Sequence, residues 1–469
     1  MRPIPTWPAA AAGLALLTPG EGQAQVTGFD REALISEFVA FDDSRNEGRA
    51  YSDQKTSSAL AWGESYYLNA YIKMYRVTGD ARWLDKVVDH FDRMAANMGD
   101  HDGDGIAGWQ ADRYSVSRMR ARELHNRGTA RILPGEARVT NIQQAHEAVD
   151  AEYVVERTGD DRFTVRQRSG GAREVVHDGP HVVGEPIPGI AGFEVKLEGL
   201  PEIGDRFRVE TWGPAPLEYA VHEGMILYPV AQFIELALKD PRLKGRYEEK
   251  ARSYLQLIEE RVLQKQERHW LDVGPGMGAY RFTESPAERF PNRVLPHNQY
   301  LAPARVWLVL KDVSENPLYL ERATRMAAHF RHYLHETGEA WTWNYWDWTE
   351  AGGPDHSRPE DSSHGQIDVT FAVEAFRRGV VFTREDMLRF TRTLTDQMWN
   401  GSLEEPRIGS RVDGPDGDSK IIRGWVELCR WDPRIWDIQW ARFNRLERPG
   451  LDIPHILYGR ALLDGEVED

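Results

Sequence analysis

Three histidines stand in the same local setting. The segments Tyr219-Ala220-Val221-His222-Glu223-Gly224, Arg293-Val294-Leu295-Pro296-His297-Asn298-Gln299-Tyr300 and Glu360-Asp361-Ser362-Ser363-His364-Gly365-Gln366 each open an apolar run. Each places a histidine beside a carboxylate or an amide. Imidazole titrates near neutrality, and neighbouring acids and amides orient it, so such sets suit proton transfer and the stabilisation of developing charge. Helix capping competes as an explanation, since Asp, Ser and Asn satisfy the free donors at a helix start and a nearby histidine then only hydrogen-bonds. Three such starts in equivalent positions weigh against capping alone. Pro229 and Pro303 follow two of the histidines and predict kinked helices below them.

Other residues extend the chemistry. Arg281, Arg289 and Arg293 lie in a stretch without a helical stripe, and guanidinium forks match carboxylates, so a carboxylate-bearing ligand is expected nearby. Surface ion pairs with Glu284 and Glu288 are the alternative. Trp341-Thr342-Trp343-Asn344-Tyr345-Trp346-Asp347-Trp348 is dense enough in aromatic faces to serve as a sugar platform or to pack internally. On an earlier apolar helix, Trp62, Glu64, Tyr67 and Asn69 are candidates for a cleft floor. Asp100, Asp102 and Asp104 alternate ahead of Gly105 like the first half of a calcium loop, but Ala111 stands where the twelfth position requires a bidentate Glu. A solvated turn is the stronger expectation, with no metal required.

The elements that position these residues repeat one layout: an apolar, aromatic-rich helix, a short polar turn, and a charged helix with one apolar stripe. Pairs are predicted at 60–75 with 84–98, 225–238 with 247–262, 300–310 with 319–334, and 369–377 with 387–399. Further helices are expected at 32–41, 421–431 and 453–463. First helices apolar on most sides and second helices apolar on one stripe imply two concentric layers, that is, a mainly α protein built as an (α/α) toroid of helical hairpins. Six-fold, seven-fold and incomplete rings all satisfy the pattern.

Between the first and second pairs the apolar period changes to two, as in Phe193/Val195/Leu197 and Phe207/Val209. An inserted antiparallel β module is therefore expected at 133–212, leaving toroid parts at 26–132 and 213–469. Its stretch from Gly192-Phe193-Glu194-Val195 to Phe207-Arg208-Val209 is similar to β repeats of flagellar hook-associated proteins, a likeness that implies no flagellar role.

The chain has 469 residues, 58 Lys plus Arg against 74 Asp plus Glu, and a formal charge of -16, which argues against a general nucleic-acid binder. A local basic cleft within an acidic surface still suits an anionic polysaccharide partner. Residues 1–25 have the form of a cleaved export signal: Arg2, the short apolar run 9–17, and Gly22-Gln23-Ala24 before the cut. A periplasmic or secreted protein without a membrane span is expected. The single cysteine, Cys429, excludes an internal disulfide.

The hairpins, together with the Arg293 to Tyr300 segment and the His364 start, resemble α/α-toroid polysaccharide lyases of the alginate and glucuronan type. That resemblance implies β-elimination on a uronate without a cofactor. It makes Tyr300 the candidate base or acid beside Arg293, with His222 the second base candidate. Asn298, His297 and Glu223 become candidate carboxylate neutralisers, and His364 with Glu360 or Asp361 would orient the sugar. A toroid glycoside hydrolase pairing Glu223 with Asp361 or Glu360 is the rival enzyme, and a non-catalytic glycan-binding protein is the rival of a different class.

Overall fold

The computed structural model describes residues 28–111, 113–133, 148–347, 358–420 and 423–467. The expected export signal, Trp348 and the Gly352-Gly353-Pro354 stretch lie outside them. The chain is mainly helical, and the predicted hairpins are present. The helices are α1 (Arg31–Asp43), α2 (Ser65–Thr78), α3 (Arg82–Ala96), α4 (Ala220–Lys239), α5 (Pro241–Leu257) and α6 (His297–Leu310). They continue with α7 (Pro317–His332), α8 (Ser362–Arg377), α9 (Arg384–Arg392), α10 (Arg434–Arg445) and α11 (Ile453–Leu463).

The turns follow from local chemistry. Gly79 ends α2 in the left-handed conformation at φ 66°, where a Cβ would be strained. Asp240 and Asn316 cap α5 and α7 ahead of Pro241 and Pro317, whose missing N–H costs nothing in a first turn. Thr383 and Asp386 form a reciprocal capping box at α9.

Packing divides these helices into two layers. Helix α2 packs on α4, α4 on α6, α6 on α8, and α8 on a 3-10 helix, Arg423–Arg430. That segment packs on α11, and α11 returns to α2, so the inner contacts close on themselves through six members. Each inner member has an outer partner: α3, α5, α7, α9 and α10 in turn, and α1 against α11. The inner helices are buried almost all round, whereas α3 buries only the stripe of Trp83, Leu84, Val87, His90, Phe91 and Met94. The α4–α6 crossing is close because Gly224 has no side chain; a Cβ there would lie 2.3 Å from the Ala302 carbonyl carbon.

The β module has its own core, with Tyr153, Val155, Phe163, Val165, Phe207 and Val209 buried apart from the helical core. Its strands are β1 (Arg118–His125), β2 (Arg131–Leu133), β3 (Ala151–Arg157), β4 (Arg162–Ser169), β5 (Ala172–Pro180), β6 (Lys196–Glu198) and β7 (Arg206–Trp212). Five of them form an antiparallel sheet in the order β1-β7-β3-β4-β5, and β2 pairs separately with β6. The pairing thus begins at Arg118, earlier than the expected 133. Only Met119 and Ala121 of β1 pack against the module's core, and three arginines and one glutamate dilute its apolar alternation. No helix among the described residues is long and apolar enough to cross a membrane.

Candidate active site

The starts of α4, α6 and α8 converge with the helix that leads into α2. That helix begins at Ser57 and passes through a π-helical turn, Leu60–Glu64, which carries Trp62. Together they border a cavity of about 240 Å³. Its aromatic walls come from Trp62, Phe282, Phe290, Tyr345 and Trp346, and its polar groups include His222, Arg289, Asn298 and His364. The Trp346 ring is set edge-on to Phe290 at 5.2 Å, while Tyr345 lies against His364 at 5.7 Å.

The two cavity histidines have opposite surroundings. His222 is buried, with Nδ1 2.8 Å from Ser57 Oγ and Nε2 accepting from the Trp62 indole at 3.1 Å. Burial, reinforced by the Arg113 charge, holds its pKa down at about 3, so the ring is neutral. His364 is partly exposed, and its Nδ1 lies 2.7 Å from Asp361 and 3.6 Å from Glu360. Burial alone would lower its pKa, but the two carboxylates outweigh that and raise it to about 10, leaving a cation in the cavity wall. Asp361 also caps α8 by accepting from the Ser363 and His364 amides, and its own pKa falls below the usual carboxylate range. Glu360 is fully buried behind this pair.

Asn298 is buried at the cavity wall, and its Oδ1 has no hydrogen-bond partner. An orphaned amide at a cavity wall is costly unless a ligand or water engages it. Arg289 is exposed at the rim with its guanidinium over the Phe290 ring. The rim is tied to the β module, because the Arg118 guanidinium donates to the carbonyls of Glu288 and Arg289.

Several expected site residues lie elsewhere. Tyr300 is fully buried, its hydroxyl 2.5 Å from His297 Nδ1, and His297 Nε2 lies 2.9 Å from Asp347. Burial, followed by the charges of Asp368 and Asp347, pushes the phenol well above its ordinary range, and Arg293 is not among the charges acting on it. Tyr300 therefore does not fit the expected base role. One helical step of about 100° separates it from Gln299 at the cavity and turns it toward His329 on α7. Arg293 is half-buried outside the cavity lining, with its backbone fastened to Phe282 and Phe290. His297 borders a second cavity of about 350 Å³ with His329, Tyr333 and Asp347, and Trp346 is the wall shared by both.

Glu223 is fully buried against Gln266 and away from the cavity. Burial first, then Glu218, raises its pKa well above normal, and its place outside the cavity lining, not that shift, separates it from the neutraliser and carboxylate-pair roles expected of it. Trp343 is core, bonded to Asp368 at 2.8 Å and packed among Phe330, Phe390 and Trp425. Tyr67 stacks on Phe41 toward α1, Glu64 turns outward to His90, and Asn69 lines a deeper cavity on the ring axis. Sequence reasoning did not single out Tyr114, Tyr219, Glu288 or Gln299, all of which line the main cavity.

Two groups of side chains bring donor atoms within 4.8 Å of one another: Asp100, Asp102 and Asp104, and Glu360, Asp361 and His364. Cations of the protein offset part of their charge. Lys265 approaches Asp102 and Asp104 at 3.3 and 3.4 Å and Arg268 pairs with Asp104, while His364 serves the second group.

No described protein family and no curated protein matches the sequence. Among solved structures, the chain is similar to an inactive variant of the alpha-1,6-mannanase GH76A of Salegentibacter sp. HEL1_6 in complex with alpha-1,6-mannotriose. The TM-score is 0.44 at 8% identity, covering 92% of this chain and 100% of that one. It is also similar to FlgL of Xanthomonas campestris, with TM-score 0.17 and 15% identity over 43% of this chain and 78% of that one. Flagellar hook associated protein-3 from Legionella pneumophila gives TM-score 0.17 and 14% identity over 51% and 94%. TM-scores this low carry no argument about fold or chemistry.

Proposed function

We propose that the chain is an α/α-toroid enzyme that cleaves a uronic-acid-containing polysaccharide by β-elimination in the 240 Å³ cavity. The observation that carries this reading is the His364 cation, held by Asp361 and Glu360 in an aromatic wall that also contains the orphaned Asn298 amide. The α-proton of a uronate is acidic only when charge on the carboxylate is stabilised as the proton leaves, and preorganised donors do this best. His364 and the Arg289 rim supply such donors, and so does Asn298 once its amide is rotated to present its N–H groups. With Tyr300 outside the cavity, removal of the C5 proton falls to His222 Nε2, which is freed when the Trp62 indole turns onto a sugar ring and whose basicity, held down by burial, rises beside the bound uronate carboxylate. The C4–O4 bond breaks, a C4–C5 double bond forms, and Tyr219 at the same helix start delivers a proton to the departing oxygen.

Hydrolysis is the second reading, favoured by one observation. Burial raises the pKa of the cavity carboxyl Glu288 while that of Asp361 is lowered, and such a split is what an acid paired with an ionised carboxylate requires. A panel of polyuronates and neutral glycans distinguishes the two. Lyase action produces an ultraviolet-absorbing unsaturated uronate; new reducing ends without that absorbance establish the hydrolase; neither product removes the enzyme reading. We propose export to the periplasm or beyond, from the form of residues 1–25. N-terminal sequencing of the protein recovered from its cell tests this, and an intact Met1 on cytoplasmic material overturns it.

A further inference from the structure

The inner helices enclose a further polar space one to two turns below the active cavity. It measures about 30 Å³, and all six inner members line it: Asn69 and Lys73 from α2, Tyr228 from α4, Arg305 from α6, Thr370 from α8, Glu427 from the 3-10 segment and His455 from α11. Most charges near it are matched. Lys73 donates to Glu427 at 2.7 Å, Arg423 to Asp452 at 2.5 Å, and Glu374 pairs with Arg378. Arg305 is the exception. It is 4% exposed, its guanidinium donates to the Met225 thioether, a weak acceptor, and its Nε has no partner. Tyr228 lies beneath its guanidinium at 4.4 Å, and the charges of Glu374 and Asp368 act on it from beyond ion-pair distance. The buried Asn69 carboxamide oxygen also lacks a partner, and rotating that amide presents its N–H groups to the same space.

A guanidinium removed from water is stable only with a compensating charge or a full set of acceptors. Room for one or two water-sized species excludes sulfate, phosphate and any sugar carboxylate. We propose that the ring encloses an axial site for a single halide-sized anion, bound by Arg305 with the Asn69 amide. Chloride is the abundant ion of that size and charge. Because residues from every inner member surround the space, the anion acts as a shared counter-charge that holds the ring closed. It stands apart from the cleavage chemistry proposed above and does not depend on it.

Thermal unfolding in sodium chloride and in sodium gluconate, at matched ionic strength, tests the site. Chloride is expected to raise Tm by roughly 2–5 °C and to saturate, as expected for a ligand that binds only the folded state. Arg305→Met removes that rise, and Arg305→Lys retains it at higher chloride concentration. Equal Tm in the two salts for the wild-type chain, or an undiminished chloride response in Arg305→Met, overturns the proposal. Should Arg305→Met fail to fold, wild-type crystals grown in bromide give the answer. An anomalous peak beside Arg305 supports the site, and its absence, with only water density there, refutes it.

Discussion

His222 and His364 stand at corresponding helix starts and border the same cavity, yet they are held in opposite charge states. A hydroxyl and an indole meet His222, and burial keeps it neutral. Two carboxylates meet His364 and overcome the cost of its partial burial. Position in the hairpin therefore brings an imidazole to the cavity, and depth of burial against carboxylates one turn back decides whether it is neutral or a cation. Their pH signatures have opposite signs. The folded pKa of His222 lies below the unfolded value, so its neutral burial stabilises above about pH 6.5 and is progressively lost as pH falls toward about 3. The folded pKa of His364 lies above it, so its pairing contributes fully below about pH 6.5 and is lost as pH rises through about 10.

The largest effect is expected from His364→Gln, which removes the cation and leaves Asp361 and Glu360 unmatched. Turnover on the confirmed acidic substrate should fall by roughly 100- to 1000-fold, the scale seen when a preorganised charge stabiliser is lost. Unchanged turnover would show that the two histidines do not divide the work in this way. His222→Gln keeps much of the bulk and the contact with Trp62 but cannot take a proton, and turnover should drop by about 100-fold with substrate affinity preserved. A loss confined to KM would instead mark His222 as a binding group.

Asp361→Asn sharpens the contrast by weakening only one partner of His364. The alkaline limb of the pH–rate profile should move down from near 10 toward the ordinary histidine range, with about 10-fold lower turnover at neutral pH. An unmoved limb would place the cation elsewhere. Tyr300→Phe is the smallest change: turnover should stay near wild type, while stability falls by ~1 kcal/mol for the lost bond to His297, measured by denaturant midpoint. A hundredfold loss of turnover there would restore Tyr300 as the base.

Much of the layout was legible because helical hairpins declare themselves by period. The outer stripe of α3 and the all-round burial of α4 and α6 follow directly from their residue spacing. The size of the ring was not legible: helices were expected at 421–431 and 453–463, but not their partners, because the member at Arg423–Arg430 is a short 3-10 helix whose outer partner is α10, and α1 belongs beside α11 at the other end of the sequence. At the site, the helix starts could be named but not their rotation. On a helix buried on every side no apolar stripe distinguishes the cavity face, so Asn298 at the cavity and Tyr300 facing α7 looked alike in sequence. Trp343 and Tyr345 were likewise inseparable until the fold sent one into the core and the other to the cavity wall. Tyr114 lies in an aperiodic stretch that gave no signal at all.

The pairing of α1 with α11 carries a kinetic consequence. Arg31 and Glu466 form an ion pair across 435 residues of sequence, and Arg448 reaches Glu37 at 3.2 Å. Closing so long a loop is entropically costly and slow, so the seam between α1 and α11 should be among the last parts to form as the chain folds. Until it forms, the apolar flank of α2 that α11 covers stays open to solvent, and the nascent protein depends on protection from aggregation longer than a bundle of local hairpins of equal size would.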